Sequence, residues 1–309
     1  MTLSICSSIN PPVPLLGGQA LLRWIDDGGA FHRSSVLHRQ RLQWAAYWFE
    51  RHLKLTANRC AATDLPTKLI FILGLWRSGT TVLHSALKEA TGWETPQTWQ
   101  CFRPASFLLT TPPRESVTSR PMDEGRIGTF TPQEDEFAAL LLGEDSVYRA
   151  FIDPRRLTEL ASLLRQWQEP LSSGPSPLSA NWEGFLKGVC RGTKNPLILK
   201  SPNHTYRLPW LAKRFPAGQF IWLTRSKQDV LASNLTMWAA MIDRYSLWRG
   251  DLRMLEKFLE CAILNHDELL DWGEKTIPDR IHIVPFERVM QDRATLVSEL
   301  LSSLDHPKS

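Results

Sequence analysis

The chain has 309 residues, 43% hydrophobic and 22% charged, which is enough for one large domain or two small ones with a buried core. The net charge of +4 is mild and no long Lys/Arg run occurs, which argues against a nucleic-acid-binding protein. A local positive site for a small anion remains compatible with this charge.

Compartment and membrane association follow from the cysteines and the apolar runs. The five cysteines are scattered and odd in number, which argues against a disulfide framework or a zinc site and favours a reducing compartment. No apolar run reaches the roughly 20 residues of a membrane span, and the N-terminus is a poor signal peptide. We therefore expect a soluble, cytoplasmic protein.

Residues 1–65 are expected to form an extension to a main domain at 66–309. The first twenty or so residues are rich in Pro, Gly and Ser, and apolar residues at helical spacing predict an amphipathic helix over residues 34–55. The run KLIFILG then predicts a fully buried strand, and a helix is expected from Thr80 to Glu89.

The middle of the chain carries a long proline-rich segment, residues 103–132, which is typical of a lid or binding loop. A helix is expected to begin near Pro132, with Thr131 as its N-cap and Glu134 completing a capping box. A second turn-rich connection follows at residues 170–180.

The C-terminal half alternates strands with helices. Strands are predicted at LILK, GQFIWLT and IHIVP, and helices at 206–215, 227–241, 252–272 and 286–304. This alternation predicts an α/β fold, a P-loop-like, mainly parallel sheet with helices on both faces. Ligands bind such sheets at the carboxyl ends of the strands, so Arg77, Lys200 and Arg225 are expected to converge on one crevice.

The first motif is the loop GLWRSGTT, which follows the buried strand. Its glycine spacing resembles a phosphate-binding loop, but Thr80 stands where the P-loop lysine would be. Backbone N–H groups from Ser78 to Thr81 at a helix N-terminus would bind an anion, and Arg77 adds a cation. The missing lysine argues against ATP hydrolysis.

The second motif, LTRSKQDVLAS, places Arg225 at the end of a strand and Ser233 in the following helix. Ser226 and Asp229 fit a capping box for that helix, which would leave Arg225 to face the crevice.

WRSGTT followed by LKSPNH and LTRSKQDVLAS resembles the sulfotransferases that use 3′-phosphoadenosine 5′-phosphosulfate (PAPS). TPQEDEF and QCFRPASFLL resemble a bacterial branch of that superfamily with unassigned acceptors.

The resemblance implies sulfuryl transfer from PAPS to a hydroxyl or amine, in line and without a metal. It implies that the 5′-phosphosulfate binds Arg77, Ser78, Gly79, Thr80 and Thr81. It also implies that Arg225 and Ser233 bind the 3′-phosphate and that Lys200 stabilises the transferred group. No His/Asp/Glu cluster at metal spacing accompanies these motifs. Most of the thirteen tryptophans should be core residues, and some are expected to line a pocket for an apolar or aromatic small-molecule acceptor.

The general base stays open at this stage. Pro202 occupies the position of the histidine base of cytosolic family members, and Gln97 and Thr98 stand where another branch has a glutamate. His204 is favoured because it follows Lys200 and titrates near neutrality, and Glu136 comes second because partial burial would raise its pKa. Three further candidates are Glu134, Asp135 and His84.

Two other functions compete with this prediction. One is a nucleotide- or phosphate-transferring P-loop enzyme, which the missing lysine disfavours. The other is a non-catalytic, truncated relative that binds PAPS without turnover.

Overall fold

The computed structural model describes residues 51–52, 64–120, 123, 125–168, 176–246 and 251–305. The predicted amphipathic helix over 34–55 and the turn-rich connection at 170–180 lie largely outside these residues. The division of the chain into 1–65 and 66–309 stays a prediction.

Six strands occur in the described part of the chain. They are β1 Leu69–Gly74, β2 Val117–Ser119, β3 Arg126–Gly128, β4 Leu197–Lys200, β5 Gln219–Thr224 and β6 Ile281–Pro285. β4, β1, β5 and β6 form a parallel sheet in that order, whereas β2 and β3 form a small antiparallel hairpin. Phe71 pairs with Leu199 on one side and with Phe220 on the other, so the carboxyl ends of the central strands lie side by side.

Helices connect these strands. They are α1 Thr80–Thr91, α2 Thr98–Cys101, α3 Asp135–Leu141, α4 Leu157–Gln166, α5 Ala180–Cys190, α6 Pro202–Tyr206, α7 Leu208–Arg214, α8 Lys227–Tyr245, α9 Leu252–Thr276, α10 Phe286–Gln291 and α11 Arg293–Asp305. Two 3₁₀ segments, Val147–Phe151 and Pro154–Arg156, lie between α3 and α4. None of the described helices is both long and apolar enough to cross a membrane.

The hydrophobic core lies on both faces of the parallel sheet. Alternate residues of β1 point to opposite faces. Phe71 belongs to the larger cluster, where its ring stacks on Phe220 with 5.3 Å between centroids. Ile70 and Ile72 belong to the smaller cluster, together with Leu83 of α1 and Leu300 of α11. The predicted α/β fold with a mainly parallel sheet is confirmed.

The predicted strands are confirmed, but several helix boundaries differ. The helix expected near Pro132 begins at Asp135, because the backbone at Pro132 bridges to Gln97 and the Thr131 carbonyl accepts a hydrogen bond from Thr98 N–H. That pairing keeps the preceding residues extended. The last helix is split at Asp292, whose φ of −144° is not helical.

Candidate active site

A cavity of about 990 Å³ opens at the carboxyl ends of the central strands. Its walls come from the loop after β1, the first turn of α1, the β2–β3 hairpin, the segment before α3, and parts of α8 and α10. Arg77, Lys200 and Arg225 all line it, so the convergence predicted from the strand order is confirmed.

The loop after β1 has a backbone that favours anion binding. Arg77 has φ 68° and Gly79 has φ 88°, so both lie in the left-handed region, which non-glycine residues rarely adopt. A Cβ on Gly79 would lie 2.7 Å from the Phe286 ring, so only glycine fits there without a shift. α1 begins at the next residue, so the backbone N–H groups of Thr80 and Thr81 lie at the cavity wall at a helix N-terminus, where they can bind an anion.

Ser78 shapes this loop rather than facing the cavity. Its side chain is buried, and its hydroxyl donates to the Leu75 carbonyl at 2.6 Å. Its backbone N–H donates to the same carbonyl at 3.2 Å. Contrary to the sequence expectation, its donors are therefore used inside the loop. Gly79, Thr80 and Thr81 line the cavity as expected.

The two arginines of the motifs lie against one another. Arg225 Nη1 donates to the Arg77 carbonyl at 2.7 Å, and its guanidinium lies 4.2 Å from the centre of the Phe286 ring. Arg77 Nε donates to Ser233 Oγ at 3.0 Å, and Arg77 Nη1 pairs with Asp123 at 2.7 Å. The Arg77 side chain therefore contacts the residue expected to bind the 3′-phosphate, rather than the expected sulfuryl end.

The capping box predicted for α8 is wrong in its side-chain bond. Ser226 is the N-cap residue, but its side chain makes no capping hydrogen bond. Arg225 is instead oriented by its bond to the loop backbone and by the Phe286 ring.

Lys200 lies at the centre of a polar group that we call the Glu134 cluster, consisting of Thr81, Glu134, Tyr148 and Lys200. Lys200 Nζ lies 2.6 Å from Glu134 Oε1 and 3.2 Å from Thr81 Oγ1. Tyr148 donates to Glu134 Oε2 at 2.5 Å. The Lys200 side chain is 3% exposed and that of Glu134 is 14% exposed, so the pair is well shielded but reaches the cavity.

Burial shifts the pKa values of two members of the Glu134 cluster, Lys200 and Tyr148. Burial lowers the pKa of Lys200, and the neighbouring Glu134 carboxylate opposes that shift. Burial raises the pKa of Tyr148 well above its usual range, and the Glu134 charge adds to the effect. Tyr148 therefore remains a protonated donor at neutral pH.

His204 and Glu136 belong to a different group, the buried polar cluster of Asp135, Glu136, His204 and Arg207. All four residues have 0% exposure. His204 Nε2 lies 2.8 Å from Asp135 Oδ2, and both nitrogens at the end of the Arg207 guanidinium bond to the Glu136 carboxylate, at 2.5 and 3.1 Å. Neither His204 nor Glu136 lines the cavity.

The expected placement of these two base candidates is therefore wrong. Ser201 caps α6 by accepting from Asn203 N–H, so His204 lies in a helix and packs inward, 6.0 Å from Phe71. Burial alone would raise the pKa of Glu136, but the charge of Arg207 holds it below its usual range. That shift is opposite to the one a base at neutral pH requires.

His84 is also removed from the chemistry. It is fully buried in α1, and its Nε2 lies 2.6 Å from Thr95 Oγ1. Burial, followed by the nearby Lys200 charge, lowers the pKa of His84 to about 3.

Glu134 is the carboxylate nearest to Lys200 in the cavity, although the sequence predicted that it would cap a helix together with Thr131. It is the N-cap residue of α3, yet its side chain makes no capping bond and points to Lys200 and Tyr148. The available signal was the run of three acids before an apolar helix. No local pattern marked Tyr148, which reaches the cavity from a 3₁₀ segment.

Part of the remaining cavity wall is apolar. The larger apolar and aromatic side chains there include Phe102, Phe137, Phe151, Met237, Met241 and Tyr245. Within the described residues, no group of three or more His, Cys, Asp or Glu side chains is arranged to hold a metal ion. The three cysteines in the described ranges, Cys101, Cys190 and Cys261, are free thiols.

Comparison with known proteins agrees with this geometry. The profile described as Sulfotransferase family matches residues 69–309. Two curated relatives, both named omega-hydroxy-beta-dihydromenaquinone-9 sulfotransferase Stf3, come from Mycobacterium bovis and Mycobacterium tuberculosis and are 29% identical over 245 residues. The match covers 76% of this chain and 62% of each relative, so the chain spans less than two thirds of their length.

Two solved structures share the fold. Sulfotransferase STF9 from Mycobacterium avium has a TM-score of 0.69 at 19% identity, covering 98% of this chain and 81% of that one. Sulfotransferase STF1 from Mycobacterium tuberculosis H37Rv has a TM-score of 0.65 at 14% identity, covering 93% and 82%. The family profile spans most of the chain and includes both motif loops and Lys200, and the protein belongs to the sulfotransferase family.

Proposed function

We propose that this protein transfers a sulfuryl group from PAPS to the hydroxyl or amine of an apolar small molecule. The observation that carries the proposal is the Lys200–Glu134 pair, 2.6 Å apart, because it lies where the anion-binding loop meets the apolar wall of the cavity. The pair would supply a cation for the transferred group and a base for the acceptor at one point of the cavity.

The donor site is electrostatically suited to an anionic nucleotide. The basic side chains that line the described cavity are Arg77, Arg120, Arg126, Lys200, Arg225 and Arg244, and the acidic ones are Asp123 and Glu134. Gly79, Thr80 and Thr81 would hold the 5′-phosphosulfate with backbone N–H groups, and Arg225 with Ser233 would hold the 3′-phosphate. We assign Arg77 to the phosphate-binding group, since it already contacts Ser233.

The residues of the Glu134 cluster would perform the proton transfer. PAPS supplies the sulfuryl group and leaves as adenosine 3′,5′-bisphosphate. Glu134 would take the proton of the acceptor hydroxyl, and Lys200 would neutralise negative charge near the transferred group. The partly shielded wall around them would strengthen both interactions by excluding water. We propose that these side chains suffice and that the reaction is metal-independent.

The acceptor is proposed to be apolar because of what lines the space beyond Glu134. Met237, Met241 and Tyr245 lie four residues apart on α8 and form one stripe along the cavity. Phe137 and Phe151 add aromatic surface to the same cavity. The curated relatives are named for a hydroxylated menaquinone derivative, which supports an apolar alcohol as the acceptor class.

We test this function by incubating the protein with [³⁵S]PAPS and pools of apolar alcohols and amines. The expected result is a labelled organic product together with an equal amount of bisphosphate. Calorimetry with adenosine 3′,5′-bisphosphate, AMP and ATP runs alongside. Tight bisphosphate binding without turnover on any pool would favour a non-catalytic relative, and a preference for ATP would favour phosphoryl transfer. A requirement for added Mg²⁺ would contradict the metal-independent mechanism.

The free thiols of Cys101, Cys190 and Cys261 support a cytoplasmic location, where thiols stay reduced. We also propose that the protein has no membrane span and does not bind nucleic acid, as its sequence predicts.

A further inference from the structure

We propose that Tyr148 is a positioning residue that fixes the orientation of the Glu134 carboxylate and leaves Oε1 as the proton-accepting atom. This inference rests on the proposed function and deepens it. Tyr148 is 3% exposed, and its hydroxyl lies between the indole nitrogen of Trp76, at 3.1 Å, and Glu134 Oε2, at 2.5 Å.

The direction of these hydrogen bonds follows from the donor inventory. An indole N–H can only donate, so the Tyr148 oxygen must accept from Trp76. The single phenolic hydrogen is then committed to the Glu134 carboxylate. The neutral phenol therefore acts as a fixed donor to one oxygen of the base.

The Tyr148 ring is held in place by aromatic neighbours. Its centroid lies 4.9 Å from that of Phe151, in a stacked arrangement, and 5.3 Å from that of Phe137. Trp238 contacts it edge-on at 6.3 Å. Because these rings belong to three different segments, the phenol has little freedom to rotate away from Glu134.

The two carboxylate oxygens of Glu134 therefore have different partners. Oε2 accepts the phenolic hydrogen of Tyr148. Oε1 is bonded to Lys200, a cation that an anionic donor would also attract. When Lys200 turns to the sulfuryl donor, Oε1 loses this ion pair. The acceptor proton then moves to Oε1 as the acceptor oxygen bonds to sulfur and the bond between sulfur and the departing bisphosphate breaks.

The arrangement also ties the base to the anion-binding loop. Trp76 immediately precedes Arg77, and its carbonyl accepts from Asn234 of α8 at 2.8 Å. The bonds from Trp76 to Tyr148 and from Tyr148 to Glu134 therefore connect the donor loop with the base. Three further charged groups act on the Glu134 cluster through space: Arg120, Asp135 and Glu136.

The experiment removes one oxygen atom with Tyr148→Phe. Loss of this hydrogen bond should leave the charged form of the Glu134 carboxylate less stabilised and its orientation less fixed. The acid limb of the kcat/KM profile should move to higher pH, and kcat should fall about tenfold at neutral pH. Bisphosphate affinity should stay within about twofold. Tyr206→Phe is the matched control. Its buried hydroxyl donates to the Ala262 carbonyl at 3.1 Å, and Tyr206 does not line the cavity.

A second readout uses the unliganded protein. The δ-carbon of Glu134, assigned in ¹³C-glutamate-labelled protein by its loss in Glu134→Gln, should titrate at higher pH in Tyr148→Phe than in wild type. If Tyr148→Phe does not fold, wild-type protein labelled with ¹³C-tyrosine provides the test. The ζ-carbon of Tyr148 is identified as the tyrosine signal that Glu134→Gln displaces most. Its chemical shift should change with pH together with that of the Glu134 δ-carbon.

The outcomes separate this inference from the proposed function. An active wild type, an impaired Glu134→Gln and an unshifted pH profile in Tyr148→Phe would overturn the role of Tyr148 alone. A chemical shift of the Tyr148 ζ-carbon that stays constant while the Glu134 δ-carbon titrates would also overturn the role of Tyr148. A wild type without sulfuryl transfer, or a fully active Glu134→Gln, would instead overturn the proposed function.

Discussion

Three consecutive carboxylates at the start of α3 enter two different environments. Glu134 lies in the cavity wall, where its partner Lys200 is a cation that a bound anion can also use. Asp135 and Glu136 lie in the buried polar cluster, where His204 and Arg207 are fully buried with them. We therefore propose that a carboxylate serves chemistry in the first environment and fold stability in the second.

Access to the cavity and the nature of the partner matter more for a carboxylate here than its position in the chain. A buried carboxylate with its own guanidinium cannot exchange a proton with a ligand, and breaking such a pair leaves an uncompensated charge. A carboxylate at a cavity wall, paired with a lysine that can turn elsewhere, can be released for proton transfer.

The largest effect is expected for Arg207→Met, which leaves Glu136 buried without its cation. The substitution should lower the free energy of unfolding by about 3–5 kcal/mol. The turnover of the remaining folded protein should be nearly unchanged. Urea unfolding at neutral pH measures the first quantity and active-site-normalised kinetics the second.

Arg214→Met is the matched control, since Arg214 pairs with Glu183 at 2.8 Å but its side chain is 48% exposed. Such a surface pair contributes about 0–1 kcal/mol. Equal destabilisation by both variants would show that the buried polar cluster has no special place in stability.

Lys200→Met should act on turnover. Removing a cation that stabilises charge in the transition state typically lowers kcat by about 10²–10³-fold. Bisphosphate binding should change much less, because the product lacks the sulfuryl group. Parallel calorimetry and single-turnover kinetics provide the comparison, and an equal loss in both would make Lys200 an ordinary affinity residue.

Arg225→Ala should act on nucleotide selectivity. A charge-assisted hydrogen bond contributes about 1.5–3 kcal/mol, so the preference for the bisphosphate over AMP should fall by that amount. The variant also loses the contacts of Arg225 with the Arg77 carbonyl and with Phe286, so a thermal melt serves as the folding control. An unchanged ratio of the two affinities would remove Arg225 from the 3′-phosphate site.

The smallest effect is a dependence of stability on acid. Burial opposes ionisation of Asp135 and Glu136, but the charges of His204 and Arg207 hold both pKa values below their usual ranges. Groups with a depressed pKa stabilise the fold above their unfolded pKa and lose this contribution as the pH falls through the folded pKa.

Unfolding free energy should therefore decline as the pH falls below about 4, and Asp135→Asn should be less stable at neutral pH but show a shallower decline. Urea titrations at several pH values measure both slopes. An equally steep decline in Asp135→Asn would mean that Asp135 does not contribute to the acid sensitivity.

Much of the fold was predictable from local sequence. β1 and the interiors of β4 and β5 are apolar runs, and buried parallel strands require that pattern. Because the carboxyl ends of such strands meet at one edge, the convergence of Arg77, Lys200 and Arg225 also followed.

The proposed role of Glu134 as the base was not predictable from local sequence, because its environment depends on contacts between residues far apart in the chain. Lys200 and Glu134 are 66 residues apart, and the backbone bridge of Pro132 to Gln97 shifts the start of α3. His204 follows Lys200 closely, but α6 turns it into the core. Sequence proximity to a cationic residue therefore did not indicate access to the cavity.

We propose that Glu134, and neither Glu136 nor His204, takes the acceptor proton. The most direct test is the pH dependence of the single-turnover rate with [³⁵S]PAPS in Glu134→Gln, Glu136→Gln and His204→Gln, normalised to folded protein. We expect Glu134→Gln to lose about 10²–10⁴-fold in rate together with its acid limb, because the titrating base is gone. The other two variants should keep the limb. A surviving limb in Glu134→Gln, or its loss in His204→Gln, would contradict the assignment.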